Sequence, residues 1–377
     1  MKKVVKQVVG IDVAQKELVV CLARMFDDWT PELYARKAFK NTSKGHLALM
    51  IWVKKFTEQT AKVRYVMEAT GVYHESLAYF LEGKGHLVSI ILPNKISNYF
   101  KTLDIKTVTD KTASEAIALF GVERKLDNWK KPKPVYKKLR QLTRERDQIV
   151  KERSIVKNQL HAENAEAESN RSSLKRLKQR VKLLNKQEAE IKTEISVLAK
   201  EEEETKKAVK LISTIPGVGD LTAATILAET NGFELIRNKR QLTGYAGLDV
   251  REKQSGTSVN GKARISKRGN KYLRKALHMP ALAAISFNER KKDIYTRLVS
   301  KHGIKMKGVV AVQRKILELS YILVKNNQPY DPYYERKIEM QKAKLIEVVG
   351  SSLWLPTIQA DLKSPSKSKL IKNTLGY

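Results

Sequence analysis

Three acidic residues stand out by where they fall. Asp12 interrupts the otherwise apolar, β-branched run Val4–Val13 (VVKQVVGIDV), where a buried carboxylate is costly unless a partner or a metal compensates it. Glu68 closes a second such run, Val63–Glu68 (VRYVME), at the strand end where α/β sheets commonly place functional groups. Asp110 lies at the start of the helical pattern Thr109–Gly121. A central-strand Asp, a strand-end Glu and a helix Asp can gather hard oxygen ligands for Mg²⁺ or Mn²⁺. Two such ions can stabilise the attacking and leaving oxygens of a phosphodiester displacement. Two of the acids also have an ordinary reading: Asp110 as an N-terminal helix residue, Glu68 as a surface charge.

A second group lies in the segment Gln254–Lys275 (QSGTSVNGKARISKRGNKYLRK). From Gly261 to Lys275 it carries seven Lys/Arg and no acid, and Glu234–Lys325 holds 22 basic against 6 acidic residues. Such a stretch largely repels itself without a polyanion. Ser255, Ser258 and Ser266 sit among these cations, where a hydroxyl could act as nucleophile or simply cap a turn. Pro216-Gly217-Val218-Gly219 has the form of a helix–hairpin–helix turn, whose successive amides beside a helix start can grip a DNA phosphate; a tight turn between core helices is the other reading. The six histidines are scattered without ligand spacing.

The elements that must position these residues can be read from pattern. Residues 1–128 read as an α/β domain: strands at Val4–Val13, Glu17–Ala23 and Ala35–Phe39, a helix capped by Asn41-Thr42-Ser43 and running to Phe56, and strands at Val63–Glu68 and Leu87–Leu92, the latter ended by Pro93. Helices are expected at Tyr73–Glu82 and Thr109–Gly121. Residues 129–208 are highly charged, with Leu139, Leu142, Ile149 and Val156, then Leu177, Val181, Leu184, Ile191, Ile195 and Leu198, at heptad-like spacing. That predicts an antiparallel helical hairpin, a coiled coil turning near Asn170. Residues 209–328 read as a mostly helical domain, and 329–377 as a polar, Lys-rich tail.

Composition narrows the classes. The chain has 377 residues, 73 Lys+Arg and 40 Asp+Glu, for a formal charge of +33, which calls for a polyanion such as nucleic acid. One cysteine, Cys21, allows no internal disulfide. The longest apolar run, Leu47–Val53, is seven residues, far below the roughly eighteen needed to span a bilayer. No membrane partner is expected, and a reduced, cytoplasmic protein is.

The acids of Gly10-Ile11-Asp12, Val66-Met67-Glu68-Ala69-Thr70-Gly71 and Thr109-Asp110 to Ala118 resemble the N-terminal DEDD domain of the IS-one-ten family of insertion-sequence transposases, which includes the Piv-type DNA invertases. The second half is similar too: Ile215-Pro-Gly-Val-Gly219, Leu242-Thr-Gly-Tyr-Ala-Gly-Leu248, Ser255-Gly256 and Ile265-Ser-Lys-Arg-Gly-Asn270 with Leu273-Arg274. The resemblance implies a RuvC-like, ribonuclease-H-type first domain, a metal site from Asp12, Glu68 and Asp110, and a nucleophilic serine at Ser255. It also implies a structured "bridge" RNA that pairs with donor and target DNA. The recombinase would work as an oligomer, dimer or tetramer, joining DEDD and serine parts from different subunits.

The family's fourth acid falls three residues after the third, where this sequence has Ala113. Ser114 and Glu115 are nearby, although on a straight helix Glu115 points about 140° away from Asp110. The expectation is therefore a transposase that cuts and rejoins DNA under RNA guidance through a phosphoserine link. Ser255, Asp12, Glu68 and Asp110 would be catalytic, and Glu115 a further candidate metal ligand. Gly217, Gly219, Lys262, Arg264, Lys267, Arg268, Lys271 and Arg274 would hold nucleic-acid phosphates. The rivals are a metal-only nuclease or junction resolvase using the acids and water, and a non-catalytic binding descendant.

Overall fold

The computed structural model describes residues 2–334, apart from 59–60, 70, 104–106, 235 and 257–258. Most of the expected polar tail, along with Thr70 and Ser258, thus lies outside the described residues. The chain divides into two compact units, Met1–Pro134 and Val135–Tyr377.

The first unit is built on a five-stranded sheet of β1 (Val4–Val13), β2 (Glu17–Phe26), β3 (Pro31–Lys40), β4 (Val63–Glu68) and β5 (Leu87–Ile91), in the order β3-β2-β1-β4-β5. β1 pairs antiparallel with β2 and parallel with β4; β2 and β3 are antiparallel, β4 and β5 parallel. The antiparallel start matches the pattern of the residues, and the mixed order is that of the ribonuclease-H-type domain that the family resemblance implies. Helices α1 (Ser43–Phe56), α2 (Glu75–Gly83), α3 (Pro93–Phe100) and α4 (Asp110–Glu123) complete the unit. Along β1 the side chains alternate. Val9, Ile11 and Val13 join Leu49, Val53, Leu77 and Leu81 of α1 and α2 in one core. Val8 instead belongs to the core of Val66, Ile96, Ile117, Ala118 and Val122. Burial on both faces is why β1 reads as a nearly continuous apolar run. Pro93, expected only to end a strand, opens α3 at its first turn, a position its fixed φ and missing N–H suit.

The second unit begins with α5 (Pro134–Ala165) and α6 (Arg171–Glu201). They run antiparallel, since Glu188 meets Arg146 and Arg153 while Arg180 meets Glu152. The turn is where the sequence suggests: the Asn170 side chain caps α6 by accepting from the amides of Ser172 and Ser173. Burial pushes the Glu188 carboxyl up, but hydrogen bonds from Lys192, Arg153 and Arg146 outweigh it and hold it at about 2. A charge so paired fixes one register between the two helices. The base of this hairpin shares a core with the helices C-terminal to it: Leu139, Ile191 and Ile195 pack in the same cluster as Ile212, Leu227, Phe233 and Ile316.

That C-terminal part comprises α7 (Glu203–Ser213), α8 (Asp220–Thr230), α9 (Lys239–Ala246), β6 (Val250–Ser255), β7 (Val259–Ile265), α10 (Lys271–Ala276), α11 (His278–Phe287), α12 (Glu289–His302) and α13 (Lys305–Asn326). β6 and β7 form a separate two-stranded antiparallel ribbon that composition alone conceals, because most of its residues are charged, polar or small. Among the described residues no helix is long and apolar enough to cross a membrane.

Candidate functional site

Asp12 is placed by the seat of α4 on β1. A Cβ added at Gly10 would lie 2.3 Å from Ala118 N and 2.5 Å from Ser114 O, and one at Gly121 would lie 2.6 Å from a Val8 methyl. Ser114, Ala118 and Gly121 thus form a stripe of small residues, spaced i, i+4, i+7, that lets the helix backbone lie against the strand. Asp110 is one turn before Ser114 on that stripe, and Asp12 is two residues past Gly10 on the same strand face. The two carboxylates are thereby brought near each other. Asp110 sits in the first turn of α4, whose start is fixed by reciprocal bonds: Thr112 N donates to Thr109 Oγ1 at 3.2 Å and Thr109 N to Thr112 Oγ1 at 2.8 Å. Glu68 comes from the adjacent parallel strand, one residue past the Ile11–Met67 pair.

Asp12 feels both its burial and the other two acids. Burial, then the charges of Asp110 and Glu68, push the Asp12 carboxyl up from 3.8 to about 6, against a hydrogen bond with the Val13 backbone. Accumulated negative charge at a sheet end is the chemistry that suits a divalent cation. As the side chains stand, no group of three His, Cys, Asp or Glu residues among the described residues is gathered tightly enough to hold a metal. The donor set fits such an ion in type and charge.

Glu115 is placed elsewhere. Its Oε1 lies 2.7 Å from Arg36 Nε of β3, because α4 is regular from Asp110 onward and carries Glu115 about 140° around the axis. Ser114 is fully buried and donates to the Lys111 carbonyl at 2.8 Å. Two residues that sequence reading missed do support the acids. Asn41 Nδ2 donates to Ala14 O at 3.0 Å and Tyr73 O at 3.2 Å, tying the segment after Asp12 to the loop after Glu68. With its amide used as donor, Asn41 Oδ1 accepts from His46 Nε2 at 2.8 Å; burial lowers the pKa of His46, consistent with a neutral ring. In sequence Asn41 offers only a capping signal.

The electrostatics carry a stability prediction. An acid whose folded pKa is raised is bound to its proton more tightly in the folded chain, so its ionisation costs stability as pH rises from about 4 to about 6. The full shift corresponds to about 3 kcal/mol; partial exposure of Asp12 reduces this to about 1 kcal/mol. Without divalent cations, Asp12→Asn is expected to unfold at a higher temperature than the parent at neutral pH. The gain should vanish below about pH 4. Thermal unfolding across that range checks it, and a neutral-pH loss of stability would sink it.

In the second unit, Ser255 is exposed and ends β6 opposite Val259, so it stands at the ribbon tip beside Gly256, whose φ is +52°. Ser266 is different: its hydroxyl donates to Asp249 Oδ1 at 2.5 Å, a bond that shapes the turn after β7. Arg264, Lys267, Arg268 and Lys271 are exposed; the side chain of Lys262 lies outside the described ones. Arg274 is committed otherwise than expected. Its Nη1 donates to Ala246 O at 2.8 Å and Gly269 O at 3.1 Å, so it clamps the backbone that presents Lys267 and Arg268. Gly217, at φ +87°, is held against α11, where an added Cβ would lie 2.7 Å from Pro280 O. Gly219 has open space at the start of α8. The hairpin is therefore a packed turn with one exposed helix start, and Asp220 beside it accepts from Ser213 at 2.7 Å.

A buried network absent from the sequence reading secures this loop. Glu229, 1% exposed, takes Arg144 Nε at 2.7 Å and Nη2 at 2.8 Å. Asn270 donates to its Oε2 at 2.6 Å while capping α10, and the Arg144 guanidinium covers the Tyr272 ring at 4.5 Å. The partners are 85 and 41 residues away from Glu229, so spacing could not reveal them.

Comparison with known proteins bears on both units. Residues 9–163 match a transposase family model of the DEDD, IS110 type, and residues 209–296 match the family described as Transposase IS116/IS110/IS902. The pilin gene-inverting protein of Moraxella lacunata is 29% identical over 338 residues, covering 86% of this chain and 98% of that protein. The transposase for insertion sequence element IS1111A of Coxiella burnetii is 24% identical, covering 86% and 91%. Among solved structures, T. thermophilus RuvC in complex with a Holliday junction substrate aligns with 33% of this chain and 99% of its own, at 12% identity and a TM-score of 0.24.

Proposed function

The chain belongs to the IS110 family of transposases, enzymes that cut and rejoin DNA, and from that premise we propose that it does so through a phosphoserine link at Ser255, with a divalent cation at Asp12, Glu68 and Asp110 and a structured RNA choosing the sites. The observation that carries the proposal is the convergence of Asp12, Glu68 and Asp110 at one sheet end, where burial first and then the charges of Asp110 and Glu68 raise Asp12 to about 6; a cation offsets that cost, and a purely binding protein has no use for it. Mg²⁺ or Mn²⁺, when bound, would neutralise charge on the scissile phosphate.

The residues divide the work. Asp12, Glu68 and Asp110 supply oxygen ligands. Ser255 Oγ forms a bond to phosphorus as the bond from phosphorus to the departing strand hydroxyl breaks. The serine gives up its proton and the departing oxygen gains one, so the number of phosphodiester bonds is unchanged. The second exchange reverses this with a new strand hydroxyl, and no external energy is needed. Arg264, Lys267, Arg268 and Lys271 hold phosphates, with Lys262 beside them in sequence. Arg274, Asn270 and Glu229 fix the loop that carries Lys267 and Arg268. The working unit is an oligomer, dimer or tetramer.

The test is to locate the link. Protein, element RNA and DNA ends are mixed with Mg²⁺, denatured and digested, and the peptides analysed by mass spectrometry. A nucleotide adduct on the peptide containing Ser255 is expected. An adduct elsewhere, or cut DNA with free ends and no adduct, would replace this reading with the metal-only nuclease.

A further inference from the structure

Charge along the helical hairpin is unevenly placed. From Arg171 to Gln187, α6 carries Arg171, Lys175, Arg176, Lys178, Arg180, Lys182 and Lys186 and no acidic residue; every one of these seven is exposed. From Glu188 to Glu204 the same stretch of chain turns rich in glutamate. A spacer that needed only solubility would intersperse the two signs. The basic half belongs to the end near the turn at Asn170, away from the base that is buried with the C-terminal core.

Arg171, Lys175, Lys178 and Lys182 are spaced by 4, 3 and 4 residues and line one shallow groove with Leu174 and Gln179. They form a row about 16 Å long at 1.5 Å per residue. Among the described residues, none of these four has an ion pair of its own; Arg180 is 3.6 Å from Glu152 and Lys186 3.8 Å from Glu190. Across the hairpin, the outer part of α5 offers Lys151, Arg153, Lys157, Glu152, His161 and Glu163, too few acids to neutralise the row. No Phe, Tyr or Trp occurs between Tyr136 and Phe233, so nothing here can stack on unpaired bases. A row of cations without aromatics suits the backbone of a paired helix. A second copy of this chain is a poor occupant, because it would set one lysine row against another.

We infer that the outer half of α6 is a binding surface for the phosphate backbone of duplex DNA lying outside the segment being cut. This rests on the reading of the chain as a DNA-joining enzyme. It gives the hairpin a share in holding DNA.

The triple variant Lys175→Gln/Lys178→Gln/Lys182→Gln tests it in the full-length protein, with a DNA duplex of about three helical turns. Each lost phosphate contact lowers the slope of log affinity against log salt by about 0.9, so the triple variant should flatten that slope by nearly 3. Lysine-to-arginine changes at the same three positions should restore it. A control that removes Lys200, Lys207 and Lys210, near the hairpin base, should leave it as it was. Helix content is monitored throughout, and glutamine is nearly as good a helix former as lysine. An unchanged slope, a change confined to a matching RNA duplex, or a change in oligomeric state alone would each overturn the inference. If the Ser255 adduct still forms in the parent protein, such a result removes only the arm surface; if no adduct forms, the reading beneath it falls too.

Discussion

Ser255→Ala should abolish the protein–DNA adduct and lower strand exchange by about 10⁴-fold or more, while DNA affinity stays within a few fold of the parent. The size reflects the group that is removed. A nucleophile that splits one hard displacement into two easier ones has no substitute once its oxygen is gone. Binding is spared because the residue is exposed at a ribbon tip beside Gly256 and supports no core. The serine at the end of β6 also differs from Ser266, whose hydroxyl already serves Asp249. Ser266→Ala should leave the adduct in place and act, if at all, on the stability of the turn. Single-turnover assays on radiolabelled ends, run beside filter binding, separate the two. Persistence of the adduct in Ser255→Ala would reassign the nucleophile.

Gly10→Ala should be strongly destabilising to the first unit. The new Cβ would fall 2.3 to 2.6 Å from backbone atoms of Ser114 and Ala118, and backbone cannot rotate away as a side chain can. Helix α4 must lift from β1. Overpacking of this kind costs about 3 kcal/mol, a large share of the stability of a small domain. Because Asp110 rides on the same helix, its separation from Asp12 grows as well. Any folded fraction should therefore show an Asp12 carboxyl moved back toward 3.8, opposite to the shift in the parent. Denaturant melts measure the first effect, and carboxyl titration by NMR the second. A variant as stable as the parent would show that the seat of α4 is softer than its contacts imply.

The sheet is legible in the sequence because its signals are local: β-branched runs, a polar break before Glu17, a capping triplet before α1. Asp12 is legible because a carboxylate in such a run has to be explained. The features that escape sequence depend on distance along the chain. Glu229 looks like any helix glutamate until Arg144 and Asn270 close on it. Arg274 looks like a phosphate ligand because charge is visible in sequence, whereas the carbonyls of Ala246 and Gly269 that occupy it are not. The ribbon escapes for another reason: strands that bury little show no apolar alternation. Pro93 misleads because one residue type both ends strands and begins helices.

The small-residue seat of α4 has a consequence for how copies of such an element age. Substitutions at Gly10 or Gly121 disturb the acids only by unseating the helix, so a copy damaged there is lost from the pool as unfolded chain. Loss of Asp12 itself is the opposite case, since neutralising it removes a charge that burial and its acidic neighbours disfavour and leaves a sound, DNA-holding protein. If the working unit is the oligomer proposed above, such a chain enters assemblies and stalls them. Two kinds of inactive copy thus have contrary effects on their living relatives: one is silent, the other a poison. The fold determines which residue produces which.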